Sequence, residues 1–262
     1  MRGARPLDGN GGVVGARLLA PPSLEARAAI ASVDPTAVPD ATQLPLRNAG
    51  RVFIRVGNFD GFCSGVAINS PSRQLVLTAG HCLYDVLPGH RRPSRVLDLV
   101  FVPAYNGEAP FGKFAGRQGF LLRPWLRRLN ENYDIGAVLA DPNGSGQNVA
   151  DAVGGGEAIA LNQPRNQAYE LLGYPGGGGQ LQMQSCSASF TGTIRFRFQH
   201  WAGPASSGVD CFMAEGASGG PWLIDDGAAV AGITTFGLAH DLVHTFGPYF
   251  AGRNVGRLIS GL

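Results

Sequence analysis

GASGGPW, residues 216–222, sets one serine among three glycines and an alanine and then stops the run with a proline. Backbone that bare serves one of two ends: a tight turn that needs permissive φ/ψ, or a nucleophile around which a substrate carbonyl has to fit. Ser218 by itself does not separate them. A serine that performs acyl transfer also needs a general base within hydrogen-bond reach, a carboxylate that fixes the tautomer of that base, and backbone N–H groups aimed at the developing oxyanion. Working outward from Ser218, the chain offers each of these. TAGHC (78–82) puts His81 at the end of the apolar strand pattern RQLVLTAG. YDIGAVLA (133–140) begins with Asp134 just before another apolar run, where a buried carboxylate can accept from imidazole Nδ1–H. Gly216 has no Cβ to block approach, so its amide and that of Ser218 are the oxyanion donors this reading requires.

Composition narrows the fold. With 262 residues, 39 of them glycine and only 15% charged, the chain favours many short strands joined by turns over long amphipathic helices. The formal net charge of +2 gives no field that implies nucleic acid or an acidic membrane as partner. No stretch of about 18 apolar residues is present, so no membrane span is expected. Four cysteines (63, 82, 186 and 211) lack a C-x-x-C pair, which disfavours a zinc ribbon or a redox motif and favours two disulfides. Three pairings are open; 63 with 82 and 186 with 211 each close a short local loop, and disulfides imply an oxidising compartment outside the cell. Residues 1–20 contain no uninterrupted apolar segment of signal-peptide length, so the export signal expected with that location is not visible there.

Residues 1–47 are rich in Ala, Pro and Arg without a clear period and read as a poorly ordered leader. RVFIRV (51–56), CSGVAIN, RQLVLTAG, VLDLVFVPAY and YDIGAVLA form a first group of strand patterns, and the glycine-rich DAVGGGEA (151–158) marks a boundary. Beyond it AIALNQ, YELLGYPG, TIRFRFQ (193–199) and WLIDDGAAVAGITTF repeat the pattern, the last with an Asp226-Gly227 hairpin turn. PYFAGRNVGRLISGL reads as a closing helix, Pro248 near its start.

LTAGHC, YDIGAV and GASGGPW, in the order His, Asp, Ser, resemble the chymotrypsin-type serine peptidases. FVPAYNGEAPFG, LGYPGGG and GPYF extend the likeness towards the secreted actinobacterial trypsin-like branch and, more distantly, the glutamyl endopeptidases. The resemblance covers roughly 48–262 and implies an all-β fold of two six-stranded antiparallel barrels, 48–150 carrying His81 and Asp134 and 151–262 carrying Ser218. It also implies a monomeric, cofactor-free and metal-free endopeptidase acting on polypeptides. Ala217 stands where most animal members have an aspartate that pairs with a newly cut N-terminus. Phe212, six before the serine, occupies the position at the base of the specificity pocket, so Arg/Lys selectivity is not supported. Thr234 and Thr235 take the place of a glutamyl endopeptidase's pocket histidine, so Glu selectivity is not supported either. Thr235, Phe236 and Gly237 resemble the segment that pairs with substrate backbone, Phe236 serving as an apolar platform.

Other motifs read more simply. HDLVH (240–244) has zinc-like spacing but lacks the Glu of H-E-x-x-H, and is a solvated loop. GYPGGGG (173–179) lacks a following Gly-Lys-Ser/Thr and is a turn, and RFRFQHW (195–201) alternates as any half-buried strand does. Two rival functions use the same scaffold: a non-catalytic binding protein, and an esterase with the same triad, although α/β-hydrolase esterases run Ser, Asp, His along the chain.

Overall fold

The computed structural model describes residues 33–56, 59–85, 94–96, 98–176, 181–196, 203–238 and 241–262, together with short strands at 5–6 and 16–19. Strands β1 (Ala49–Val56), β2 (Phe59–Ala67), β3 (Leu75–Thr78), β4 (Asp98–Pro103), β5 (Phe114–Leu121) and β6 (Gly136–Ala140) form the first sheet, with Arg5–Pro6 added parallel to β2 as a seventh strand. They lie in the order β2-β1-β4-β5-β6-β3, and antiparallel pairing of β2 with β3, Val66 opposite Leu77, closes the sheet on itself. The second sheet takes β7 (Ala168–Gly173), β8 (Gln184–Phe196), β9 (Ser206–Val209), β10 (Pro221–Ile224), β11 (Ala229–Ile233) and β12 (Thr245–Gly247) in the order β11-β10-β7-β8-β9-β12, and three short strands bring it to nine: Ala158–Ile159 parallel to β11, and Ala16–Leu19 and Thr36–Ala37 antiparallel to β8. A bridge between Phe236 and Phe246 brings the chain just beyond β11 back to β12.

Strand alternation explains why these segments are apolar on both faces. Val52, Ile54 and Val76 point into the first sheet's own core beside Cys63 and Val138, whereas Phe53, Leu75 and Leu77 point outward. That outer side is buried too, because it packs against Leu172, Leu223, Val230 and Ile233 of the second sheet. The second sheet has the same division: Leu171, Trp222 and Ile224 line its interior, and Leu172 and Leu223 face the first sheet. Burying such a side chain fully contributes roughly 1.5–3 kcal/mol, so the seam between the sheets is a main source of cohesion and fixes how their loops meet.

Disulfides join Cys63 to Cys82 and Cys186 to Cys211, the pairing that closes the two local loops. The Asp225–Gly227 turn joins β10 to β11 with positive φ at Asp226 (54°) and Gly227 (89°). Among the described residues no helix is long and apolar enough to cross a membrane.

Two segments depart from the sequence reading. Residues 33–47, assigned there to a poorly ordered leader, lie against the second sheet: Val33 N–H donates to the Asp210 carbonyl, Val38 N–H to the Met183 carbonyl, and Val38 and Ala41 are buried. The closing helix is short. Residues 248–251 are not helical: Ala251 is extended and its N–H donates to Asn254 Oδ1 at 2.8 Å, so helical turns begin only at Gly252, ending with Arg257–Ile259. β8 runs unbroken from 184 to 196, and the rest of RFRFQHW, like Gly177–Gly179 and His240, lies outside the described residues.

Candidate active site

His81 sits in the turn that follows β3, where Leu83 N–H donates to the Gly80 carbonyl at 3.0 Å. Asp134 lies between the 3-10 turn Glu131–Tyr133 and β6, a turn capped by the Asn130 side chain, which accepts from Asn132 N–H. Because β3 and β6 are neighbours in the sheet, their ends bring the two residues together. Asp134 Oδ1 accepts from the His81 backbone N–H at 2.7 Å, and Oδ2 lies 2.8 Å from His81 Nδ1. Both side chains are only 1% exposed. A carboxylate can only accept, so the proton of the neutral ring stands on Nδ1 and leaves Nε2 as the basic nitrogen. Gly80 makes the approach possible: a Cβ there would stand 2.9 Å from Asp134 Oδ1 and 3.1 Å from the Trp125 ring.

Ser218 is buried on a loop of the second sheet that is tied to both sheets. Its carbonyl accepts from Ser64 N–H of β2 at 2.7 Å, and Gly219 N–H donates to the Thr234 carbonyl at 2.7 Å. The same carbonyl oxygen lies 3.9 Å from Cys82 Sγ. A ring nitrogen of His81 lies within 4.8 Å of that sulfur, so the imidazole turn and the serine loop meet at the Cys63–Cys82 disulfide. Gly216 has φ of 92°, and a Cβ on it would stand 2.4 Å from the Phe62 ring and 2.7 Å from the Tyr174 carbonyl oxygen. Gly219, with φ of 86°, is as confined: its Cβ would meet the Ser64 carbonyl and the Thr78 hydroxyl at 2.3 Å. These two positions exclude any side chain. Phe62 is itself covered by the Arg51 guanidinium, 3.6 Å from the ring centroid, and burial holds that guanidinium below its usual pKa.

The four residues named from sequence as substrate contacts fall into two groups. Phe212 and Gly237 are side by side; the Phe212 ring is the nearest neighbour that a Cβ on Gly237 would have, at 3.8 Å. Thr235 and Phe236 face inward: the Thr235 hydroxyl donates to the Phe246 carbonyl at 3.3 Å, and the Phe236 ring stacks on Phe246 with centroids 5.4 Å apart. Behind them Met213 N–H donates to Thr245 Oγ1 at 2.8 Å.

Sequence reasoning missed Ser64 and the Tyr174–Gly176 segment, both of which grip the serine loop. Ser64 Oγ donates to the Gly216 carbonyl and accepts from Tyr174 N–H, each at 2.9 Å, while Gly176 N–H donates to the Glu215 carbonyl. No spacing marks a lone strand serine for that task.

Cys63, Cys82 and His81 have donor atoms close enough to suggest a metal centre. The chemistry does not fit one, since both sulfurs are in a disulfide and Nδ1 is engaged by Asp134. His244 of HDLVH is held by Asp241, with Nδ1 2.9 Å from Oδ2.

The Trypsin family profile matches residues 45–251. The glutamyl endopeptidase of Bacillus licheniformis is 31% identical over 121 residues, 45% of this chain; the chain spans only 34% of that relative's length. Among solved structures, the protease Anisep from Arthrobacter nicotinovorans superposes with a TM-score of 0.71 at 26% identity, covering 87% of this chain and 100% of that one. The thermostable serine protease AL20 from an extremophilic microorganism gives 0.68 at 30% identity, covering 82% and 98%. A Glu endopeptidase at 18% identity and TM-score 0.66, covering 85% and 93%, shares the fold.

Proposed function

This chain belongs to the Trypsin family, and from that premise we propose that it is a serine endopeptidase working through Ser218, His81 and Asp134. Ser218 Oγ attacks the scissile carbonyl and His81 Nε2 takes its proton. The amides of Gly216 and Ser218 stabilise the oxyanion, and His81 returns the proton to the leaving amine, forming an acyl-enzyme that water then hydrolyses. Asp134 keeps the imidazole in the tautomer this sequence of transfers demands. The observation that carries the reading is the two-point grip of buried Asp134 on His81, through the main-chain N–H and through Nδ1. A general base must be neutral to accept, so activity falls as acid protonates the imidazole.

Of the residues named from sequence as substrate contacts, Thr235 and Phe236 face inward, while Phe212 and Gly237 lie side by side and carry no formal charge. They favour an uncharged side chain before the cut over Arg, Lys or Glu. The two disulfides support work outside the cell. A single chain contains the whole constellation, with His81 and Asp134 in the 48–150 unit and Ser218 in the 151–262 unit.

Hydrolysis of a peptide library, with the cut sites read by mass spectrometry, tests the proposal together with its specificity. Cleavage that disappears in Ser218→Ala, by about 10⁶ in kcat, is the expected result. A folded parent that cuts nothing in the library, or a Ser218→Ala variant that cuts as well as the parent, rejects it.

A further inference from the structure

Gly216 is the most permissive point of the site, and its N–H is useful only if it faces the substrate. At a glycine the preceding peptide unit can rotate at little steric cost, exchanging N–H for C=O where the oxyanion must sit. Something has to select one orientation. Both peptide units that flank Gly216 are held by their carbonyls: Glu215 C=O accepts from Gly176 N–H, and Gly216 C=O accepts from Ser64 Oγ at 2.9 Å. In a trans peptide the N–H points opposite to the C=O, so tethering the Glu215 carbonyl to Gly176 turns the Gly216 N–H to the other side.

The Ser64 hydroxyl leaves no ambiguity in that arrangement. Its one proton can go only to the Gly216 carbonyl, because its other partner, Tyr174 N–H at 2.9 Å, is itself a donor. One hydroxyl thus ties the serine loop to the segment carrying Gly176. Ser64 is itself immobilised: it is 1% exposed, its N–H donates to the Ser218 carbonyl, and its carbonyl accepts from the Thr78 hydroxyl at 2.7 Å. It also follows Cys63, whose disulfide joins the His81 turn.

We propose that Ser64 is a positioning residue that clamps the serine loop to the Tyr174–Gly176 segment, whose Gly176 N–H holds the Glu215 carbonyl and so keeps the Gly216 N–H towards the oxyanion, coupling the first sheet to the second sheet's serine loop. The proposal rests on the peptidase reading above for its kinetic consequence, but its conformational consequence stands independently. Ser64→Ala leaves the Gly216 carbonyl and Tyr174 N–H without their shared partner, so the Tyr174–Gly176 segment loosens from the serine loop and the Glu215–Gly216 peptide that it tethers then samples both orientations. Because the donor acts on the transition state more than on bound substrate, kcat should fall about 100-fold with KM within about twofold, and Ser64→Thr, which keeps a hydroxyl, should recover most of the loss. Backbone ¹⁵N relaxation dispersion on residues 215–218 gives the second readout: flat profiles in the parent and exchange on the μs–ms scale in Ser64→Ala.

Folding of each variant is checked by near-UV circular dichroism, and Ser64→Gly takes the place of Ser64→Ala if the latter does not fold. A Ser64→Ala enzyme with kcat within threefold of the parent, or a fall shared equally by kcat and 1/KM and not restored by threonine, overturns the proposal. If the parent itself lacks peptidase activity, the function falls while the dispersion profiles still decide the lock: flat profiles in both proteins overturn it, and exchange only in the variant supports it.

Discussion

Asp134→Asn is the substitution whose outcome the hydrogen bonds determine most fully. The carboxylate accepts twice from one residue, Oδ1 from the His81 main-chain N–H at 2.7 Å and Oδ2 from Nδ1 at 2.8 Å. An amide has one oxygen and one NH₂ to put in those places. If the oxygen stays on the main-chain N–H, the NH₂ faces Nδ1, which must then be the unprotonated nitrogen. The ring proton moves to Nε2, where the base should be. If instead the amide turns over, NH₂ opposes a buried N–H, and the two unsatisfied donors cost roughly 1–3 kcal/mol each. The first arrangement therefore dominates, and the imidazole is held in the tautomer that cannot accept from Ser218. A wrong-tautomer base lowers kcat by about 10⁴, equivalent to about 5.5 kcal/mol, while the buried pair is kept almost isosterically and the fold persists. Steady-state hydrolysis of a good peptide substrate measures the loss, and ¹⁵N-edited NMR of the imidazole reads the tautomer directly. An Asp134→Asn enzyme within tenfold of the parent in kcat, or one whose Nδ1 is still protonated at neutral pH, refutes the reasoning.

Gly216→Ala should lower kcat by about 10²–10³, because the new Cβ would stand 2.4 Å from the Phe62 ring and push the oxyanion amide out of line; peptide hydrolysis beside a thermal melt checks it. Glu157 is buried and accepts from Asn48 Nδ2 at 2.6 Å, and burial raises its pKa, with the Asn48 bond opposing. The folded state therefore holds that proton more tightly than the unfolded chain, so the charge becomes a burden as pH rises above the ordinary carboxylate range. Glu157→Gln should be more stable than the parent at pH 7 and lose most of that advantage near pH 4, as followed by urea melts. Replacing Cys186 and Cys211 together by Ala opens a loop with a sequence separation of 25 and should cost about 3 kcal/mol in the same assay.

What could be read from the chain and what could not divide along a physical line. The side chains proposed to perform chemistry stand in short local contexts: His81 and Asp134 each adjoin an apolar strand, and Ser218 lies among glycines that the backbone there requires. Strands such as LVLT and PWLI were legible because both of their faces are apolar, and the seam between the sheets accounts for that. Ser64 was not legible, since its two side-chain bonds reach 110 and 152 residues along the chain and a serine beside a cysteine carries no periodic signal. The 33–47 segment misleads for another reason: its prolines remove donors and limit regular structure, which resembles disorder in a sequence, yet its buried groups, the pairing of Thr36–Ala37 with Gln184–Ser185 and the main-chain bonds of Val33 and Val38 seat it. The helical reading from Pro248 fails over 248–251, where the chain stays extended because Asn254 accepts the Ala251 N–H and donates to the Tyr249 carbonyl, so helical turns start only at Gly252.

The central claim is that Ser218 is made nucleophilic by the His81–Asp134 pair. The most direct measurement is the mass of the protein after treatment with phenylmethanesulfonyl fluoride, with the adduct mapped by peptide sequencing. A single stoichiometric adduct on Ser218, formed at a rate that collapses in His81→Ala, is the predicted result. An adduct elsewhere, or labelling of Ser218 at the same rate without His81, contradicts the account.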